Sequence, residues 1–312
     1  MLKVDNIVKY YGKNCAVNHL SFEVKDGEIF GLLGENGAGK TTTFRIIMGL
    51  LNSDEGTVLL NGKRIDYGVT NKIGYLTEER SLLTKLTVKE QIVFYGILKG
   101  MTEEEVLSKL DSLLKEFDIE DYKNRKIKEL SKGNQQKIQF IAAVINNPIL
   151  LILDEPFTGL DPINVEMFKK YIRKLQKNGC SIIFSSHQME HIEEFCEKLI
   201  ILVKGKSILD GYVKDIKQAY KKKNIIIAGD IDDKELKKID GVINVEKRND
   251  EYLVKIENKD VVSKVFKVIS KYDVNKFIVE EATLNEIFIA KVGEAKWWIN
   301  FGIWLGLALV KK

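Results

Sequence analysis

The stretch EIFGLLGENGAGKT, residues 28–41, decides the fold class. Its first six residues are almost all apolar, as expected of a strand that is buried on both faces. GENGAGKT (34–41) then matches the pattern G-x-x-x-x-G-K-[ST], and a helix is predicted from about Lys40 to Leu50. Strand, glycine-rich loop and helix in this order predict a phosphate-binding loop, although a glycine-rich turn that binds nothing would have the same composition.

The residue types in this loop suit the phosphates of a nucleotide. Glycines let backbone N–H groups turn toward phosphate oxygens, and the N-terminus of the helix adds a favourable dipole. Lys40 can reach the β- and γ-phosphates, and the hydroxyl of Thr41 can bind Mg²⁺. The predicted binding residues of the loop are Gly34, Asn36, Gly37, Ala38, Gly39, Lys40, Thr41 and Thr42.

Two acidic residues follow a second apolar run, LLILDEP (150–156). Asp154, at the carboxyl end of the predicted strand, would hold Mg²⁺ through its water shell, and Glu155 would orient and deprotonate an attacking water. Acids that simply begin a polar loop would look similar. Beside a phosphate-binding loop, the pair favours nucleotide hydrolysis.

His187 ends a third apolar run, CSIIFSSH (180–187). A lone histidine at a strand end is more often structural, but ligands of parallel sheets bind where the carboxyl ends of strands meet. We therefore expect His187 to contact the γ-phosphate. His19 and His191 are expected to be ordinary surface or core residues.

Strands and helices alternate around these motifs, which predicts an α/β domain with a largely parallel sheet. Residues 2–25 alternate like antiparallel strands, and residues 79–148 form an inserted helical subdomain. Past Gly211, shorter elements follow the order β-α-β-β-α-β of a small ferredoxin-like module. The predicted fold is a P-loop NTPase with a RecA-like core in residues 1–210, followed by a small α+β domain in residues 211–294.

The composition excludes several classes of protein. The 312 residues include 49 Lys and Arg and 45 Asp and Glu, and this net charge of +4 gives no argument for a nucleic-acid partner. Three widely spaced cysteines favour free thiols in a reducing compartment over a disulfide framework. The N-terminus lacks an apolar h-region, so we expect no signal peptide, and no window reaches the ~18 apolar residues of a membrane span.

Residues 295–312 form an apolar tail that contains all three tryptophans of the chain. Its apolar stretch, WWINFGIWLGLALV (297–310), is too short to span a membrane as a helix. It would suit a segment that lies on a membrane or against a membrane protein. Self-packing, or a sequence altered by frameshift or fusion, are the alternatives.

The ordered motifs resemble the nucleotide-binding subunits of ABC transporters from residue 1 to about 210. KYYG (9–12) resembles the A-loop, so Tyr11 would stack on adenine; a strand-end tyrosine at a turn is the alternative. LSKGNQQK (130–137) occupies the place of the LSGGQ signature, TGLD (158–161) resembles the D-loop, and His187 resembles the switch histidine. The resemblance implies that these further residues contact ATP: Ser131, Gly133, Gln135 and Asp161.

Two positions depart from the pattern of that family. In IGYLTEER (73–80), Glu78 stands where the family has its Q-loop glutamine. The oxygen of Glu78 can still bind Mg²⁺ or water, but an ionised carboxylate cannot donate a hydrogen bond. In the signature, Lys132 replaces the first glycine, and Asn134 fills the usual variable position. Both changes, together with the small C-terminal module, resemble the bacterial sodium-efflux and drug-efflux ATPases that have a separate permease.

The resemblance implies an ATPase that uses ATP and Mg²⁺ and works as a dimer, expected to be a homodimer, with a separately encoded membrane permease. It would lie in the cytoplasm at the inner face of the cell membrane and drive export of sodium ions, drugs or similar substrates. Residues 79–100 would be the permease-docking surface, with Tyr95 and Leu83 as candidates. The implied catalytic residues are Lys40, Glu155 and His187, and the implied Mg²⁺ ligands are Thr41, Glu78 and Asp154.

Three other functions stay open from the residues alone. One is a soluble ABC ATPase that acts on a macromolecular partner such as the ribosome or DNA. The second is a phosphotransferase that uses the P-loop, which would not require the signature or the D-loop. The third is a regulatory protein without turnover, which Glu78 and Lys132 make worth considering.

Overall fold

The computed structural model describes residues 1–65, 67–79 and 81–294. The chain divides into two compact units, Met1–Asp210 and a second that begins at Gly211. No helix in these described ranges is long and apolar enough to cross a membrane. The predicted apolar tail, residues 295–312, lies outside the described residues, so its role stays a prediction.

The first unit contains most of the regular structure. In chain order its elements are β1 (Leu2–Tyr11), β2 (Asn14–Val24), β3 (Ile29–Gly34), α1 (Lys40–Ile47), β4 (Glu55–Leu60), β5 (Lys63–Arg64), α2 (Tyr67–Thr70), β6 (Ile73–Leu76), α3 (Val88–Leu98), α4 (Glu103–Glu116), α5 (Lys132–Val144), β7 (Leu150–Asp154), α6 (Pro162–Lys177), β8 (Ser181–Ser185), α7 (Met189–Phe195), β9 (Lys198–Val203) and β10 (Lys206–Tyr212), the last of which crosses the boundary between the units. Short 3₁₀ turns lie at Glu120–Tyr122 and Ile127–Glu129.

The central sheet has the strand order β10-β9-β3-β8-β7-β6, and the pairs β9·β3, β3·β8, β8·β7 and β7·β6 are parallel. This confirms the predicted parallel α/β sheet. Strands β7 and β8 are buried along their whole length, as their continuous apolar sequences predict. Because the strands are parallel, the residues that follow β3, β7 and β8 meet at one edge of the sheet.

A smaller antiparallel sheet, ordered β2-β1-β4-β5, shares a core with the central sheet. The rings of Phe22 and Phe30 stack across this core with centroids 4.9 Å apart. Asn61 and Gly62, with φ of 52° and 74°, form the predicted turn between β4 and β5. The antiparallel strands predicted for residues 2–25 are therefore confirmed as β1 and β2.

In the helical segment, the sequence carries the pattern T-x-x-E at residues 87–90 and 102–105, which predicts two helix starts, and the structure confirms both. Thr87 and Glu90 form a capping box at α3, and Thr102 and Glu105 form another at α4. In each, the threonine hydroxyl accepts from the glutamate N–H, and the carboxylate accepts from the threonine N–H. The bonded termini fix where both helices begin.

Helix α5 is buried on more sides than the sequence predicts. The sequence predicts one buried side, formed by Ile138, Ile141, Ala142 and Ile145, but from Gln136 to the end of the helix every residue is buried except Ala142, which is half-buried. The reason is that α5 packs against α3 and β6 and also against α6, where Phe140 contacts Phe168 with ring centroids 4.7 Å apart. Periodicity in one helix cannot reveal neighbours on a second side.

The second unit begins with the end of β10 and continues with α8 (Val213–Ala219), β11 (Lys223–Gly229), α9 (Asp233–Lys237), β12 (Val242–Arg248), β13 (Glu251–Ile256), α10 (Val261–Ile269), β14 (Val274–Glu281) and a helix over residues 284–294. Its antiparallel sheet has the order β12-β13-β11-β14. The elements β11 to β14 follow the predicted β-α-β-β-α-β order of a ferredoxin-like module. Apolar residues including Ile225, Val254 and Val265 form its core.

Candidate active site

The glycine-rich loop leaves backbone N–H groups free at the start of α1. Gly39 has φ of 107°, and no side chain caps the helix. A Cβ atom on Gly39 would lie 2.4 Å from the carbonyl oxygen of Ala16, so only glycine fits there. The Lys40 ammonium donates to the carbonyls of Gly34 at 2.6 Å and Glu35 at 3.3 Å. The loop therefore presents N–H donors and a lysine, the groups that bind phosphates.

A cavity of about 620 Å³ lies against this loop. It is lined by Tyr11, Asn14, Cys15, Ala16, Glu35, Asn36, Gly37, Gly39, Lys40, Thr41, Thr42, Glu78, Asp154 and Lys204. The structure thus brings together the tyrosine, the loop, Glu78 and Asp154, which lie far apart in the sequence. Gly34 and Ala38 belong to the same loop but do not line the cavity, and the Ala38 side chain is buried.

Asp154 ends β7 beside β8, where the Ser185 hydroxyl donates to its Oδ1 at 2.7 Å. Burial raises the pKa of Asp154, while the Ser185 hydrogen bond and the Lys40 charge act in the opposite direction. No group of three or more His, Cys, Asp or Glu side chains within the described ranges could hold a metal ion by itself. The oxygens of Thr41, Glu78 and Asp154 line one cavity, and such oxygens suit Mg²⁺ when phosphates and waters complete its shell.

Glu155 and His187 form a bonded pair at the adjoining ends of β7 and β8. Glu155 has φ of 51°, a left-handed backbone that turns the chain sharply after the strand. Its Oε1 accepts from the His187 backbone N–H at 2.7 Å, and its Oε2 lies 2.8 Å from His187 Nδ1. The Ser186 hydroxyl also donates to Oε2, at 3.3 Å. The Glu155 carboxylate is buried, whereas the His187 imidazole is exposed and therefore accessible to a ligand.

The remaining predicted site residues lie away from this cavity. The Ser131 hydroxyl caps α5 by accepting from the Asn134 N–H at 3.3 Å, and Asp161 caps α6. Gln135 donates to the carbonyls of Ile127 and Leu130 at 3.1 Å and 3.2 Å. Gly133 has open space, since an added Cβ atom would come no closer than 3.6 Å to another residue. None of Ser131, Gly133, Gln135 and Asp161 lines the cavity of their own chain.

Comparisons with known proteins decide the family. Residues 17–158 match the family described as ABC transporter, and residues 211–292 match the C-terminal domain of ATP-binding proteins like DrrA1-3. The uncharacterized ABC transporter ATP-binding protein YhaQ of Bacillus subtilis is 48% identical over 294 residues, which cover 94% of this chain and 99% of YhaQ. This chain belongs to the ABC transporter ATP-binding family. It is an ATPase, as the members of this family hydrolyse ATP.

Two further relatives of this ABC ATPase have more specific descriptions. The lipopolysaccharide export system ATP-binding protein LptB of Haemophilus influenzae is 35% identical over 217 residues, 68% of this chain and 90% of LptB. The solved dimer of an ATP-binding cassette in a post-hydrolysis state, bound to ADP and Pi, is 26% identical with a TM-score of 0.63. That match covers 68% of this chain and 99% of the solved one.

Several residues of the ABC ATPase line the cavity beside the glycine-rich loop without belonging to any motif. Asn14, Cys15 and Ala16 come from the start of β2, and Lys204 comes from the turn between β9 and β10. A backbone hydrogen bond joins this turn to the glycine-rich loop: the Gly205 N–H donates to the Ala38 carbonyl at 2.9 Å. Nothing in the sequence near Lys204 predicts this position, since the contact joins segments more than 150 residues apart.

A second cavity, of about 390 Å³, lies beside the segment after Glu78; we call it the groove. Its lining consists of Met48, Leu50, Thr70, Ile73, Tyr75, Ser81, Leu82, Tyr95, Lys99, Gln139, Ala142 and Ala143. Tyr95, a predicted docking residue, donates from its hydroxyl to the Ser81 carbonyl at 3.0 Å. Leu83, the other candidate, is exposed but does not line the groove. Burial lowers the pKa of Lys99 to about 8.

Proposed function

We propose that this chain is the ATP-hydrolysing subunit of an exporter whose membrane permease is a separate protein. The observation that carries the proposal is the single cavity lined by Tyr11, the phosphate-binding loop, Glu78 and Asp154. Adenine stacks on Tyr11 and the phosphates lie against the N-terminus of α1. Export is supported by the resemblance to efflux ATPases and by the export system to which the relative LptB belongs.

The residues that line the cavity, and the Glu155–His187 pair that follows β7 and β8 but does not line it, have distinct roles in hydrolysis. Lys40 exchanges its bonds to loop carbonyls for bonds to the β- and γ-phosphates, and Lys204 adds positive charge at the rim. Thr41, Asp154 and Glu78 would hold Mg²⁺, which would supply positive charge to balance the charge that develops on the phosphates. Glu155 accepts the proton of the attacking water. The His187 ring holds the position of Glu155 and reaches the γ-phosphate from its exposed side.

The site is completed by a second copy of the chain. Ser131, Gly133, Gln135 and Asp161 do not line the cavity of their own chain, yet the exposed N-terminus of α5 suits an anion. In the proposed dimer, the Ser131 hydroxyl and the Gly133 N–H of each subunit bind the γ-phosphate held by the other. Lys132 adds positive charge at the same place.

The permease docks at the groove, whose lining combines apolar residues with Tyr95 and with the polar residues Thr70, Ser81, Lys99 and Gln139. Helix α3, which carries Tyr95, also exposes the apolar side chains of Phe94, Ile97 and Leu98. These side chains could pack against an amphipathic helix of a membrane protein. Docking there places the subunit in the cytoplasm, at the inner face of the membrane. The substrate class proposed from the resemblance is sodium ions, drugs or similar compounds.

ATP turnover of the purified chain tests the enzymatic part of this proposal. Lys40→Ala should lower turnover by about a hundredfold or more, because it removes a charge from the transferring phosphates. Lys63→Ala is the matched control, since Lys63 is an exposed lysine on β5 outside the cavity. Equal turnover in Lys40→Ala and wild type would reject the proposed site. Reconstitution with the membrane protein encoded beside this chain, followed by transport assays, tests the exporter.

A further inference from the structure

Gln139 of α5 holds the backbone on both sides of Glu78. Its Nε2 donates to the Thr77 carbonyl at 3.0 Å, to the Thr77 hydroxyl at 2.8 Å and to the Glu79 carbonyl at 3.3 Å. These acceptors belong to the residues directly before and after Glu78. The side chain of Glu78 itself is exposed and lines the nucleotide cavity. Gln139 therefore restrains the segment that presents Glu78.

The same glutamine also lines the groove. Tyr75, which precedes Glu78, and Ser81 and Leu82, which follow it, line the groove together with Gln139. Residues of one short segment thus line both the nucleotide cavity and the groove, and Gln139 ties this segment to α5. Helix α5 begins at the signature residues. Gln139 therefore lies on the signature helix, lines the groove, and contacts the segment that carries Glu78.

A glutamine at this position needs a reason, because burying an amide is unfavourable unless it is fully hydrogen-bonded. Gln139 is 4% exposed, and its Oε1 has no hydrogen-bond partner in the described part of the chain. An apolar side chain of similar size would avoid this desolvation. What it would lack is the pair of N–H donors that bind Thr77 and Glu79.

We propose that Gln139 is a positioning residue for Glu78. The inference rests on the proposed function, since it takes Glu78 as a ligand of Mg²⁺ or of the attacking water. Holding the backbone at residues 77 and 79 limits where the Glu78 carboxylate can lie. Small displacements of a catalytic ligand lower turnover strongly, whereas they leave phosphate binding by the loop almost unaffected.

A double-mutant cycle between Gln139 and Glu78 tests the proposal. Gln139→Met keeps the volume and removes the donors; it should lower kcat about five- to tenfold and change the KM for ATP by less than about twofold. In the Glu78→Ala background the same substitution should change kcat by less than about twofold, because its effect acts through Glu78. ADP affinity, measured by calorimetry, should stay within about twofold of wild type in Gln139→Met, and the double variant should bind ADP like Glu78→Ala alone.

Gln91→Met is the matched control, because Gln91 is also a buried glutamine that hydrogen-bonds the backbone of the segment after Glu78. Gln91 is fully buried on α3, and its Oε1 accepts from the Leu83 N–H at 2.7 Å, farther along the chain from Glu78. Its replacement should leave kcat within about twofold of wild type. Gln139→Glu serves as a second variant, because it keeps the shape but replaces the donors with acceptors, and it should also lower kcat. Thermal melting of each variant verifies that it is folded.

The outcomes separate this inference from the proposed function. If Gln139→Met lowers kcat equally with and without Glu78, or leaves it unchanged, Gln139 does not position Glu78 and the inference is overturned. If Glu78→Ala alone leaves kcat unchanged while Lys40→Ala abolishes turnover, the ATPase site stands but the role of Glu78, and with it this inference, fails. If Lys40→Ala also has no effect, the proposed site itself fails.

Discussion

Lys204 occupies the first position of the two-residue turn between β9 and β10, with φ of 46°. The equivalent position between β4 and β5 holds Asn61, with φ of 52°, a residue that tolerates this backbone. A lysine there costs ~1–2 kcal/mol of backbone strain that glycine would avoid. Its ammonium has no hydrogen bond or ion pair with a described residue, so it is available to a ligand in the cavity that it lines.

We predict that Lys204→Asn weakens ADP binding about three- to fivefold, the size expected of one exposed charge contact. The asparagine keeps the turn and removes the positive charge, so thermal stability should stay equal or rise. Lys204→Arg keeps both the charge and the strain, and it should bind ADP like wild type. Calorimetry with ADP and Mg²⁺ measures all three proteins. Equal affinity in Lys204→Asn and wild type would mean that Lys204 does not contact the nucleotide.

Single residues differ in how far the sequence predicts them. Lys40 and Thr41 are predicted because the chemistry of the loop is local: consecutive residues provide the turn, the donors and the helix start. Glu155 is predicted as an acid at a strand end, but its contact with His187 depends on the pairing of β7 with β8. Gln139 carries no local pattern at all, since its role arises from a segment that lies 60 residues away.

At the scale of elements, helix α5 combines a buried body with an exposed beginning. Ser131 and Lys132 are exposed, whereas residues from Gln136 to Phe140 are buried. The buried part anchors the helix to the rest of the first unit, and the capped N-terminus stays open to a partner. Such a helix can present its N–H groups to a ligand that another subunit binds.

We predict that Ser131→Arg abolishes ATP turnover while the isolated chain still binds ADP with affinity within about twofold of wild type. A large charged side chain at this position blocks the close approach of the second subunit, but it does not touch the cavity of its own chain. Turnover assays and calorimetry on the same preparation measure the two effects. Lys128→Ala, an exposed change just before the signature, should retain most of the turnover. A parallel loss of ADP binding in Ser131→Arg would contradict the proposed division of the site between two subunits.

At the scale of the whole molecule, the proposed site requires two chains, so hydrolysis and assembly should be linked. We predict that Glu155→Gln forms an ATP-dependent dimer, because binding remains possible while the loss of the base blocks hydrolysis and the closed state persists. Sedimentation with ATP and Mg²⁺ should show the dimer, and without nucleotide it should show mostly monomer. Adding Ser131→Arg to Glu155→Gln should abolish the dimer. Absence of a dimer in Glu155→Gln itself would argue against a homodimeric site.

The sequence by itself determined the elements whose physical causes are local. The continuous apolar runs predict the buried parallel strands, the capping boxes predict where α3 and α4 begin, and the glycine-rich loop predicts phosphate binding. The order of short elements after Gly211 likewise predicts the topology of the second unit. In each case the determining residues are neighbours in the chain, so hydrophobic periodicity and turn chemistry can be read directly.

Only the tertiary structure decided which distant segments meet. It places Lys204 and the start of β2 in the cavity beside the glycine-rich loop, buries α5 from Gln136 onward on nearly every side, and ties the segment around Glu78 to α5 through Gln139. These contacts depend on the strand order and on how helices pack across the sheet. Since packing is set by the summed burial of many residues rather than by any one pattern, a single sequence does not specify them one by one.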